Sequence, residues 1–164
     1  VHPTFIKNSD PLAAVNDSFN AVSIVGDAVG EIMLYGRGAG ALPTGSAIVS
    51  DVIFALKHDD FYYATFANNE LGAKETKYVS DFNSKYYIRM VVGDYAGTLA
   101  KIAGVFAKDG ISLQEVKQIA ADGEKAQIIV FTYLCKESAI SKTIEKLTSL
   151  KEVFEIKSCI RMED

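Results

Sequence analysis

The chain has 164 residues, 49% apolar and 23% charged, which is enough to bury a core and too apolar for a disordered segment. Its formal charge is −4 and it has no basic stretch able to follow a phosphate backbone, which argues against nucleic acid as a partner. No apolar run reaches the roughly 18 residues of a membrane helix, so no membrane partner is expected.

The chain opens on "VHPTF", without Met or a signal-peptide pattern, and reads as a piece of something longer. "VHPTFIK" reads as a strand and "DPLAAV" as a short helical turn, with Asp10 as N-cap and Pro11 at the first helical position. "FNAVSIVGD" and "AVGEIMLYGRG" alternate as strands around the hairpin turn "GDAVG". A helix is predicted from about Pro43 to Lys57.

Between strand and helix lies "YGRGAGALPTG", where Gly36, Gly38 and Ala41 satisfy the G-x-G-x-x-A variant of the dinucleotide fingerprint. A dinucleotide cradle needs a parallel βαβ unit and an acidic residue ending the next strand. Here the entering strand pairs antiparallel with its predecessor, "HDDFYYATFANN" follows the helix instead of a buried strand, and Pro43 sits where the fingerprint's helix would be running. A complete Rossmann domain is therefore not expected. The alternatives are a ligand-free strand-to-helix turn and a backbone exposed for close approach to a ligand.

Charge divides the chain at this point. Residues 1–78 carry 5 basic and 9 acidic side chains, residues 79–164 carry 12 of each, and the polar "NNELGAKETKYVSDFNSK" (68–85) reads as a linker. Beyond it, "KYYIRMVV" (85–92) is a strand with Ile88, Met90 and Val92 on one face. A helix from Thr98 places Leu99, Ile102, Ala103 and Phe106 inward and stops at Gly110. "ISLQEVKQIA" (111–120) and "AQIIVFTYLC" (126–135) are strands around the turn "DGEK", and the second is apolar on both faces. A helix over 138–150 buries Ile140, Ile144 and Leu147, and "VFEIKSCIRM" (153–162) is the last strand, its faces depending on whether Ser158 or Cys159 points inward.

The fold class is α+β: a partial antiparallel sheet and helix, followed by a ferredoxin-like βαββαβ domain. Its sheet order should be 4-1-3-2, leaving strand two as an edge. Both helices cover one face, so Ile129, Phe131 and Tyr133 on the other imply a partner surface, most simply a homodimer. Cys135 and Cys159 have no metal or redox spacing and read as reduced structural thiols.

Two resemblances rest on these residues. "IRMVVGDYAGTLAKIAGVFAKDGISLQEVKQ" resembles the first half of an ACT domain, with Asp94, Gly97, Leu99, Ala103, Phe106, Gly110 and Ile111 where that family places them; Ser112 stands where many members carry Asn. "HPTFIKNSDPLAAVNDSFNAVSIVGDAVGEIMLYGRGAGALPTGSAIVSDVIFAL" resembles the end of the substrate-binding domain of homoserine dehydrogenase. The resemblances imply two domains: 1–78, the end of that substrate-binding and dimerisation domain, and 79–164, an ACT regulatory domain. A free-standing ACT-type amino-acid-binding module is the alternative.

The family resemblance further implies a cytoplasmic oxidoreductase using NAD or NADP, with Gly36, Gly38, Ala39 and Gly40 near the cofactor in the full-length enzyme and no cofactor bound to this chain alone. No catalytic residue is expected here, because the family's fingerprint, catalytic lysine and substrate-binding acids fall N-terminal to this segment. Lys7 and Lys57 read as surface charges, His2 and His58 as isolated, and Asp51, Asp59 and Asp60 as no metal site. The expected effector is a small amino acid, threonine first. Its carboxylate would meet the N–H groups of Ala96, Gly97, Thr98 and Leu99 at a helix start. Asp94 either caps that helix or accepts the ammonium. Ile111, Ser112 and Gln114 would complete the pocket across the dimer.

Overall fold

The computed structural model describes residues 1–58, 79–120 and 123–163. In chain order its elements begin with β1 (Thr4–Phe5), a 3-10 turn (Pro11–Ala14), β2 (Phe19–Gly26), β3 (Gly30–Arg37) and α1 (Ala41–Lys57). They continue with β4 (Asn83–Gly93), α2 (Thr98–Lys108), β5 (Leu113–Ala120), β6 (Lys125–Thr132), β7 (Cys135–Lys136), α3 (Glu137–Thr148) and β8 (Val153–Met162). These fall into two compact units, one of Lys7–Lys77 and one of Val1–Ile6 with Tyr78–Asp164. Most of the linker read over 68–85, and most of "HDDFYYATFANN", lie outside the described residues.

In the first unit Asp10 caps the 3-10 turn by accepting from Leu12 N at 2.8 Å, with Pro11 at its first position. β2 and β3 form the expected antiparallel hairpin, in register from Phe19 opposite Arg37 to Gly26 opposite Gly30. α1 starts at Ala41, two residues before Pro43. Proline is tolerated there because the N–H groups of a first helical turn have no intrahelical acceptor. Leu42, Ile48, Val49, Val52, Ile53 and Leu56 are all exposed and fall on one face of α1, within an arc of about 140° at the helical repeat. An exposed apolar stripe of that kind is a face made to be covered.

The second unit is ferredoxin-like. Its strands run β8-β4-β6-β5, the expected 4-1-3-2 order, all antiparallel to their neighbours. Tyr86, Ile88, Met90 and Val92 alternate onto the core face of β4 and Ala126, Ile128 and Val130 onto that of β6, where Ile102, Phe106, Ile140 and Leu147 of the helices meet them. Burying each of the larger of these side chains contributes roughly 1.5–3 kcal/mol.

Four details differ from the sequence reading. The opening strand is only two residues long, and it joins this sheet rather than the hairpin, parallel to β8 with Thr4 opposite Arg161 and Phe5 opposite Met162. The third ferredoxin strand ends at Thr132, and Cys135–Lys136 pairs separately with Ser84 and Asn83 of β4; Tyr133 N turns away to donate to Ser112 O at 3.0 Å. The buried stripe of α2 is Thr98, Ile102 and Phe106, rotated from the expected one, so Leu99 is exposed. In β8 the register shifts between Ser158 opposite Arg89 and Ile156 opposite Met90, leaving Lys157 as the extra residue of a bulge and setting Cys159 opposite Ile88.

Candidate functional site

The turn from β4 into α2 gathers Asp94, Ala96, Gly97, Thr98 and Leu99. Gly97 is the N-cap of α2 with φ +93°, and a Cβ there would touch nothing within 4 Å. Its glycine is therefore required by backbone conformation, not by space. No side chain caps the helix. Asp94 instead accepts from Gln118 Nε2 of β5 at 2.9 Å, while Asp94 N donates to Glu124 O at 2.8 Å. Thr98, in the first helical turn, is only 3% exposed, and its hydroxyl has no hydrogen-bond partner among the described residues. A buried hydroxyl without a partner costs about 1–3 kcal/mol. Beside it lie backbone donors that a helix start leaves without intrahelical acceptors.

An ion pair between a buried carboxylate and an exposed lysine braces the turn from behind. Glu152, 2% exposed, accepts from Lys101 Nζ of α2 at 2.5 Å, and its backbone carbonyl accepts from Gly93 N at 2.9 Å. The Lys101 ammonium holds the Glu152 carboxyl below its ordinary value, and the carboxylate raises the lysine in turn. Close packing also fixes Gly93, where a Cβ would lie 2.3 Å from the Tyr95 ring. Sequence reasoning missed Gln118, Lys101 and Glu152. Gln118 had a signal: Gln114, Val116 and Gln118 share one face of a strand. Lys101 and Glu152 had none, because they are 51 residues apart in the chain.

Ile111, Ser112 and Gln114 stand elsewhere. β5 runs parallel to β4, so its start lies beside Thr132 and Phe131, opposite Tyr87, while Gly93 pairs with Lys125 at the other end. About 20 Å of strand separates the two groups. One chain does not bring them together.

In the first unit, Gly36 is a hairpin residue opposite Asn20, with open space around it. Gly38 N donates to Ser18 O at 2.8 Å, and a Cβ on Gly38 would lie 1.9 Å from Asn20 Nδ2. Gly38 does not have a positive φ, contrary to what a glycine turn implies; its need for glycine is steric. Gly40 has the positive φ, +128°, and caps α1 with its carbonyl accepting from Thr44 N at 3.0 Å. Ala39 is exposed between them. The antiparallel β2–β3 pairing removes the dinucleotide cradle. Pro43 does not exclude a helix at this place, since α1 already runs through it.

Residues 1–53 match the family model described as homoserine dehydrogenase. The homoserine dehydrogenase of Bacillus subtilis is 36% identical over 168 residues, covering 99% of this chain and 38% of that protein. That of Corynebacterium glutamicum is 38% identical over 171 residues, covering 99% and 36%. The crystal structure of the Thiobacillus denitrificans homoserine dehydrogenase matches 99% of this chain and 38% of its own, with TM-score 0.80 and 32% identity. Over nearly its whole length the chain is similar to the C-terminal part of homoserine dehydrogenases. It spans somewhat over a third of the length of these relatives. Among the described residues, no helix is long and apolar enough to cross a membrane, and no group of three or more His, Cys, Asp or Glu side chains could hold a metal ion.

Proposed function

We propose that this homoserine dehydrogenase segment is a regulatory and dimer-forming part of a longer cytoplasmic enzyme. That enzyme interconverts homoserine and aspartate 4-semialdehyde with NAD or NADP, on the route to threonine and methionine. Residues 79–164 act as an ACT regulatory domain that senses a small amino acid, threonine first, and residues 1–78 end the substrate-binding domain. Gly36, Gly38, Ala39 and Gly40 approach the cofactor only in the longer protein. Alone, the chain leaves NAD and NADP unreduced by homoserine in a spectrophotometric assay; turnover above background would defeat that part of the reading.

The observation that carries the sensor reading is the unpartnered Thr98 hydroxyl in the first turn of α2, behind the left-handed Gly97. A carboxylate seated there would accept from that hydroxyl and from the free N–H groups, at the positive end of the helix dipole. Asp94, held by Gln118 rather than spent on capping, is available for the ammonium. Ile111, Ser112 and Gln114 reach this place only from a second copy whose β5 runs antiparallel to the first, which ties sensing to dimer formation. Calorimetry is expected to show threonine binding in the micromolar-to-millimolar range, lost in Gly97→Val, where a β-branched side chain is forced to positive φ. A different amino acid binding in threonine's place would change the ligand. No binding by any amino acid would leave a dimerisation module.

A further inference from the structure

The first unit is an insertion in the ferredoxin-like one. The chain leaves the ferredoxin-like unit after Ile6 and returns to it at Tyr78, so Lys7–Lys77 is a long loop between β1 and β4. Both crossings are anchored at one end of the sheet. β1 runs parallel to β8 and β4 antiparallel to it, so the end of β1 and the start of β4 flank the C-terminal end of β8. Phe5 is opposite Met162, and Met162 is opposite Lys85. The two anchors are therefore two strand spacings apart, about 10 Å.

Each crossing is seated by contacts of its own. Phe5 O accepts from Glu163 N at 2.9 Å, and the Phe5 ring meets Tyr87 edge-on at 5.3 Å. α3 has no cap from its own N-cap side chain, and the returning chain supplies one. Asp81 accepts from Ser138 N at 2.9 Å across 57 residues of sequence, and Phe82 O accepts from Glu137 N at 3.0 Å. Asn83 and Ser84 then pair with Lys136 and Cys135 of β7. Arg161 stands between the crossings, opposite Thr4 on one side and Tyr86 on the other. Its Nη2 donates to Glu137 Oε2 at 2.8 Å, and its guanidinium lies 5.1 Å over the Phe82 ring.

We propose that these contacts form a clasp: they hold the two ends of the first unit together and make its stability depend on the ferredoxin-like sheet. Holding the ends of a long segment together removes freedom from its unfolded form and little from its folded form. Unseating β1 returns that freedom, so the first unit opens more often while the sheet itself stays folded. One consequence rests on the amino-acid sensor reading. A ligand that steadies the sheet at the start of α2 also steadies the clasp, and its binding is then felt in the first unit.

The test is amide hydrogen exchange on the whole chain, with the β2–β3 hairpin compared against β6. Phe5→Ala should speed exchange in the hairpin roughly tenfold and leave β6, which lies between β4 and β5, unchanged. A second variant fastens β1 covalently. In a Cys159→Ser background, Phe5→Cys with Met162→Cys sets two thiols at directly paired positions, about 4.8 Å apart and within disulfide range. Hairpin exchange should be roughly tenfold slower in its oxidised form than in its reduced form. Equal hairpin exchange in the two forms would overturn the clasp, as would a Phe5→Ala effect of the same size in β6. If Phe5→Ala unfolds the sheet, the oxidised and reduced forms decide alone. Threonine should slow hairpin exchange in the unaltered chain and not in Phe5→Ala. Threonine that protects α2 but not the hairpin would overturn the regulatory consequence. Threonine that moves no amide would defeat the sensor reading, and the clasp would still stand or fall on the disulfide.

Discussion

At the scale of single residues, four glycines near the candidate sites are needed for two different reasons. Gly97 and Gly40 take φ values that side chains disfavour. Gly93 yields space to the Tyr95 ring, and Gly38 to the Asn20 side chain. These causes separate experimentally. Gly38→Ala should destabilise the chain by about 1–3 kcal/mol, the usual cost of overpacking, and Asn20→Gly should recover most of that loss in the double variant. Urea unfolding followed by circular dichroism reads both. A neutral Gly38→Ala would mean that the Asn20 amide simply swings aside. The motif spacing made these glycines visible in the sequence. Which constraint each one answers was not visible, because the partner in each case is fixed by a turn or a register.

At the scale of elements, two attachments hold the ferredoxin-like sheet together. One is β1, whose Phe5 meets Tyr87 edge-on at 5.3 Å; Tyr87 meets Phe131 at 5.4 Å, so an aromatic row crosses the outer face from β1 to β6. The other is Glu152, which ties the turn before β8 to both α2 and the end of β4. Its carboxyl is held below the ordinary 4.5, first of all by the Lys101 hydrogen bond. A group depressed on folding stabilises above its unfolded value and loses that contribution as pH falls through its folded value. Glu152→Gln should therefore lower the urea midpoint at pH 7, and its deficit against wild type should close as the pH is taken down from the ordinary 4.5 through the lowered folded value. A constant deficit across that range would assign Glu152 a packing role only. Strand and helix positions followed from periodicity almost throughout, since alternation and the 3.6 repeat are properties of the local chain. The β1–β8 pairing, the bulge at Lys157 and the rotated stripe of α2 were not legible, since each depends on contacts distant in sequence.

For the whole molecule, the exposed apolar surface points to assembly. β5 is a free sheet edge among the described residues, Tyr133 and Phe154 are exposed, and α1 and the β2–β3 hairpin expose many apolar side chains. Such edges and patches are usually covered. Light scattering on the purified chain at about tens of micromolar should give twice the single-chain mass, and a charge placed on the β5 edge, Val116→Lys, should shift it toward monomer. A clean monomer in the unaltered chain would count against pairing through β5.

The sequence by itself determined the element order, the 4-1-3-2 ferredoxin topology, the hairpin that rules out a dinucleotide cradle, and the likeness to homoserine dehydrogenase. Those depend on local periodicity, turn chemistry and motif spacing, all written along the chain. Only the tertiary structure decided that Thr98 is buried with an unpartnered hydroxyl, that Asp94 is held by Gln118, and that Ile111, Ser112 and Gln114 sit a strand's length away from them. It alone brought β1 and the start of β4 to one end of the sheet, on either side of β8. The physical reason is the same for each: burial and pairing are set by which strands become neighbours and in what register, and a one-residue shift in a stripe or ladder turns a buried side chain outward.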